Sequence, residues 1–154
     1  MMKVVLTTGC FDVFHVGHLY HLQAAAKLGK LYVAVTSDSH VKKGPFRPAF
    51  PQKERLEIVK NLRCVSYAFI VDNWQQAMRL AKPSIYVKGG EYEKCLPEKD
   101  YCERHGIQLV FTKEPTYSST QLLHYYADRS STSDSGNETG AIRGGEDSRR
   151  LSLR

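Results

Sequence analysis

Between residues 3 and 126 the apolar positions fall into two alternating rhythms. Short runs rich in β-branched and aromatic residues, "KVVLTT", "LYVAVT", "VSYAFIV", "SIYVK" and "IQLVFT", read as strands. Between and after them lie stretches with helical spacing: "GHLYHLQAAAKLG", closed by Gly29, and "PQKERLEIVKNL", opened by Pro51. "NWQQAMRLAK" and "EKDYCERHG" follow, and then "SSTQLLHYYA", which starts on three hydroxyl residues. Such alternation predicts parallel strands joined by crossover helices.

The expected architecture is therefore a Rossmann-like, three-layer α/β fold with a five-stranded parallel sheet, which binds ligands beyond the carboxyl ends of its strands. The chain has 154 residues, which suits one domain. That domain is expected to occupy residues 1–128. From Ala127 onward the text turns to "ADRSSTSDSGNETGAIRGGEDSRRLSLR", too polar to offset the entropy of ordering, so residues 129–154 are expected to form a disordered tail. The tail holds five arginines against four acids, so most of the net charge of +6 belongs to the domain. A basic domain favours an anionic partner, without ranking nucleotide, nucleic acid or phosphorylated metabolite. No run of 18 apolar residues or signal-peptide pattern occurs, and a soluble, cytoplasmic protein is expected. Cys10, Cys64, Cys95 and Cys102 are scattered, suggesting reduced thiols.

Candidate chemistry collects where the strands end. The first strand leads into Gly9–His18, the second into "SDSHVKKGPFRP", the fourth into "KGGEY" and the fifth into "KEPTYSST". These loops offer glycines, cations and hydroxyls on one edge of the sheet, as a polyphosphate cradle requires. Within "CFDVFHVGHLY", His15 and His18 stand at the mouth of the first helix. Three uses are open: metal ligands, core imidazoles, or donors to a phosphate. A metal would want a third ligand, for which Asp12 and His21 are conceivable, although the spacing turns His21 elsewhere. Phosphate contact is favoured, with Gly17 and the first-turn N–H groups facing the same anion.

Thr8, Gly9, Phe11, Asp12, His15, Gly17 and His18 together resemble the (T/N)GxFDxxHxGH segment of the cytidylyltransferase-like nucleotidyltransferase superfamily. The resemblance continues through "KKGPFRP", "ER", "IYVKGGEY" and "SST", covering roughly residues 3–123. HxGH also occurs in class I aminoacyl-tRNA synthetases, for which this chain is far too short. "PSIYVKGGEYE" is most similar to adenylyltransferases acting on heptose 1-phosphate. Glycerol-3-phosphate cytidylyltransferases are the next nearest, with "DNWQQ" on their side and "KEPTYSST" against them.

The resemblance implies attack by an acceptor phosphate on the α-phosphorus of a nucleoside triphosphate, with release of pyrophosphate. It implies AMP transfer from ATP to a sugar phosphate, with CMP transfer from CTP to glycerol 3-phosphate as the alternative and a non-catalytic nucleotide-binding module behind both. Under it His15 and His18 contact the triphosphate, and Lys43, with Lys42 beside it, reaches phosphate. Arg47 and Arg55 are the further cations. Lys88, Gly89, Gly90, Glu91 and Tyr92 receive base and ribose, and Ser118, Ser119 and Thr120 hold the outer phosphates. Mg²⁺ accompanies the triphosphate, with Asp12 nearby. Partners implied are nucleotide and phosphorylated sugar or polyol, with a homodimer possible and neither nucleic acid nor membrane.

Overall fold

The computed structural model describes residues 2–113 and 118–130. β1 (Val4–Gly9) is central, between β2 (Lys30–Thr36) and β4 (Ile85–Gly89). β3 (Tyr67–Val71) lies outside β2, and β5 (Gln108–Thr112) lies outside β4. Every pairing in the order β3-β2-β1-β4-β5 is parallel. The helices are α1 (Val16–Ala26), α2 (Gln52–Lys60), α3 (Trp74–Ala81), α4 (Lys99–Arg104) and α5 (Ser119–Ser130). This is the expected Rossmann-like α/β sheet. Beyond Ser130, the end of α5, the expected tail lies outside the described residues.

Strand pleating divides the apolar residues between two faces. On one face Val5, Leu31, Val33, Val35, Ile85 and Val87 pack with Leu22 and Ala25 of α1 and Val59 of α2. On the other, Leu6, Ala34 and Tyr86 meet Ala77 and Met78 of α3 and Cys102 of α4. Double-sided burial is why these strands read as near-continuous apolar runs rather than alternating ones. Truncating a residue such as the fully buried Leu22 to alanine would cost about 2–5 kcal/mol.

Two short 3₁₀ turns, Asp38–His40 and Gly90–Tyr92, stand in loops that sequence spacing left open. The first is tied to α2 by a reciprocal pair: Asp38 N–H donates to Gln52 Oε1 at 2.8 Å, and Gln52 N–H donates to Asp38 Oδ2 at 3.1 Å. After α1, Gly29 adopts φ +157° with its Cα hard against the Lys3 carbonyl, where any Cβ would collide. That close passage lets β2 start in register with β1, pairing Val4 with Lys30.

The chain runs outward from β1 to β2 and β3, then returns through α3 to β4 on the other side of β1. Connections diverge at the carboxyl ends of β1 and β4, which opens a crevice between them.

Candidate active site

At this switch point lies a cavity of about 300 Å³, lined from β1 and α1 by Thr8, Gly9, Phe11, His15, Gly17 and His18. Lys43 comes from the loop after β2, and Lys88, Gly89, Gly90, Glu91 and Tyr92 from the end of β4. Ser118, Ser119 and Thr120 close it from the start of α5. One edge of the sheet thus gathers four separate stretches of sequence.

His15 is the N-cap of α1. Its Nδ1 accepts from Gly17 N–H at 3.1 Å, and the His18 Nδ1 accepts from His15 N–H at 3.3 Å. The pair is a capping box in which two imidazoles replace the usual hydroxyl and carboxylate. An accepting Nδ1 puts the proton of each neutral ring on Nε2. The rings stack with centroids 3.9 Å apart, and His18 is further held by Phe11 at 5.5 Å and Phe14 at 5.3 Å. Burial, then His15 and Lys43, push His18 down to about 3; burial and Lys43 also lower His15. Both rings are therefore neutral donors at neutral pH. The expectation that the Gly17 N–H faces an anion is corrected: His15 occupies it.

The loop that presents them is strained. Phe11 has φ 51° and Val13 φ 47°, a left-handed conformation costing roughly 1–2 kcal/mol for a side-chain-bearing residue. Buried Asp12 fastens it, accepting from Arg47 Nε at 2.7 Å, Ala49 N–H at 2.8 Å and Phe50 N–H at 3.0 Å. These partners hold its carboxyl below the usual range despite burial, which opposes them as the largest single influence. Asp12 does not line the cavity, so a role near a metal gives way to one as anchor of the 47–50 loop.

Arg55 needs the same correction. The residue is 1% exposed, and its guanidinium donates to the carbonyls of Phe50, Cys10 and Thr36 and to Asp38 Oδ1 at 2.7 Å. Its charge holds loops together instead of facing the cavity. Arg47, 7% exposed, donates to Asp12 and, through Nη1, to Thr120 Oγ1 at 3.2 Å. Its buried Nη2 has no hydrogen-bond partner among the described residues. Lys42 is exposed and outside the lining.

The three hydroxyls at the entry to α5 divide their work. Ser118 Oγ accepts from Gln121 N–H at 3.4 Å, Ser119 Oγ donates to the Asp12 carbonyl at 2.8 Å, and Thr120 Oγ1 receives Arg47. Gly90 is required where it stands, since a Cβ would lie 2.9 Å from the Thr112 carbonyl oxygen.

Cys10, His21 and Thr112 line the cavity although sequence reasoning did not place them there. The His21 ring bridges Thr7 Oγ1 at 2.8 Å and Thr112 Oγ1 at 2.9 Å, joining β1 to β5 through α1. Burial lowers its titration to about 4. Its position one turn after His18 was the available signal. Among the described residues no cluster of three or more His, Cys, Asp or Glu side chains could hold a metal ion.

Fold and crevice define a Rossmann-like α/β protein with donors and cations converging on the switch point. The chain belongs to the cytidylyltransferase-like family, whose profile matches residues 6–133. It is 44% identical over 129 residues to the bifunctional protein HldE of Vibrio parahaemolyticus and 37% identical over 134 residues to that of Syntrophotalea carbinolica. These alignments cover 79% and 80% of this chain, which spans 27% of the length of either relative. Among solved structures, the lipopolysaccharide core biosynthesis protein of Thermoplasma volcanium superposes with a TM-score of 0.65 at 26% identity. That match covers 75% of this chain and all of the other. Pantothenate synthetase from Thermus thermophilus shares the fold, with a TM-score of 0.56 at 12% identity, over 77% of this chain and 57% of its own.

Proposed function

We propose that the protein is a nucleotidyltransferase that moves AMP from ATP onto the phosphate of a sugar phosphate such as heptose 1-phosphate, releasing pyrophosphate. The observation that carries this reading is the reciprocal cap of His15 and His18, which sets both imidazoles as Nε2–H donors at the head of the crevice. The likeness of "VKGGEY" to heptose 1-phosphate adenylyltransferases supports the choice of acceptor. So does the similarity to the lipopolysaccharide core biosynthesis protein of Thermoplasma volcanium.

An acceptor phosphate has a second pKa near 6 and is largely ionised at neutral pH, so its oxygen needs no general base. In this reading that oxygen forms a bond to the α-phosphorus while the bond to the bridging oxygen breaks, and pyrophosphate leaves with the electron pair. The protein's task is to hold two anions in line and offset the charge that gathers on transfer. His15 and His18 donate to the triphosphate, Lys43 and Lys88 supply positive charge from opposite sides, and Thr120 with Arg47 stands at the α5 end. Magnesium enters as part of the nucleotide substrate, because both Asp12 oxygens already accept protein donors.

Pyrophosphate release, measured with Mg²⁺, ATP or CTP and a panel of phosphorylated sugars and polyols, tests the reading. The expected result is release with ATP and a sugar phosphate. Release with CTP and glycerol 3-phosphate alone would overturn both substrate assignments. Nucleotide binding with no release from any pair would make the protein a binding module.

A further inference from the structure

An ammonium enclosed at the foot of a crevice is unstable unless something compensates it. Lys88, at the end of β4, has a side chain 12% exposed, and the Glu98 carboxylate, 7% exposed, stands 3.9 Å from its Nζ. At that separation the two form an ion pair without a direct hydrogen bond. They are joined through two hydroxyls instead. A carboxylate oxygen only accepts, so Tyr86 Oη donates to Glu98 Oε1 at 3.2 Å. With its one proton committed, the Tyr86 oxygen accepts from Thr8 Oγ1 at 2.7 Å. Thr8 Oγ1 in turn accepts from Lys88 Nζ at 3.0 Å. The carboxylate at the end sets the direction of every bond in the series.

We propose that Glu98 is a positioning residue of the crevice: through Tyr86 and Thr8 it keeps Lys88 charged and in place for an anion while standing too far back to occupy the ammonium itself. Thr8 consequently meets the crevice with its proton already given to Tyr86.

The surroundings of Lys88 are consistent with this. Glu98 precedes α4, Glu91 and Tyr92 come from the turn after β4, Thr8 from β1 and His21 from α1. Nζ lies 4.8 Å from the Tyr92 ring centre and 5.7 Å from that of Tyr86. Burial lowers the titration of Lys88, and Glu98 opposes that more strongly than Glu91. Burial, then Glu98, raises the Tyr86 hydroxyl well above its ordinary range, so it remains a donor.

The inference rests on the crevice being an anion site, but its first readout does not. Nitrogen-detected NMR of isotope-labelled lysine would follow the Lys88 Nζ titration in the wild type, Glu98→Gln and Glu98→Asp, with thermal unfolding of each to monitor the fold. Calorimetry with inorganic pyrophosphate at neutral and alkaline pH would follow. Glu98→Gln is expected to move the Lys88 titration to lower pH and weaken pyrophosphate about tenfold on the alkaline side, the worth of one charge-assisted hydrogen bond. Glu98→Asp, which keeps the charge and disturbs packing less, should restore most of both. A Lys88 titration identical in wild type and Glu98→Gln, or equal displacement by Gln and Asp, would overturn the proposal. If pyrophosphate binds none of the proteins, the anion reading fails, and the Lys88 titration alone decides the role of Glu98.

Discussion

On the β1–α1 wall of the crevice His18 has lost its charge, pushed down to about 3 by burial with His15 and Lys43 beside it. On the β4 wall Lys88 is also enclosed, but Glu98 stands 3.9 Å behind it and works against burial. Desolvation disfavours charge on both sides, and the neighbours make the difference. Asp12, which lies behind the first wall, is a minor influence on His18 and is already claimed by Arg47 and two backbone N–H groups. One wall thus offers neutral donors whose charge can rise when an anion arrives. The other holds a lysine whose charge an enclosed carboxylate supports.

The largest test of this contrast removes the neutral wall. His15→Ala and His18→Ala should each lower kcat/KM for pyrophosphate release by about 10² to 10³, the scale seen for loss of one preorganised donor. His15→Asn separates cap from chemistry: asparagine is a good N-cap, so stability should hold while the rate falls, whereas His15→Ala should also lose about 1 kcal/mol in thermal unfolding. An active His15→Ala protein with merely reduced stability would make the imidazole a cap and nothing more. Removing the charged wall should show chiefly in binding. Lys88→Met is expected to weaken triphosphate affinity by about ten- to a hundredfold in calorimetry, with a reduced dependence on salt.

A third prediction concerns pH. His18 and His21 titrate below their ordinary value of 6.5, at about 3 and about 4, so on acidification the unfolded chain takes up protons that the folded chain refuses. Their contribution to stability is fully present above 6.5 and is lost as the pH falls through about 4 for His21 and about 3 for His18. Melting temperature should decline across that window, and His18→Gln should flatten the decline. Asp12 and Asp38, lowered from 3.8, and Glu57, lowered from 4.5, add only at the acid end of that range, so the decline between 6.5 and 4.5 belongs to the histidines. Smallest of all, Lys43→Ala should raise the His15 and His18 titrations slightly, as followed by imidazole proton NMR, because burial outweighs Lys43 at both rings.

Much of the molecule was legible before folding. The strand runs and helical stretches place the five strands and five α-helices of the described residues within a few residues, because burial on two faces leaves an apolar pattern that spacing reveals. Of the expected site residues, His15, His18, Lys43, Lys88, Gly90 and Thr120 line the cavity, and Asp12, Lys42, Arg47 and Arg55 do not. A cationic side chain, in a loop or on a helix, reads alike whether it faces a ligand or a carbonyl. Arg55 meets three carbonyls that lie far apart in the chain and close together in the fold.

By itself the sequence determined the parallel α/β layering, the strand ends as the place where chemistry gathers, and the paired histidines at a helix mouth, since all of these depend on residue type and short-range spacing. Only the tertiary structure decided which charges survive and which groups stay available. Those outcomes depend on burial and on partners far away in sequence: Thr112 brought to His21, Thr120 to Arg47, and Thr8 linked through Tyr86 to Glu98. Coulombic and hydrogen-bond energies depend on distance in space, which a linear order of residues does not contain.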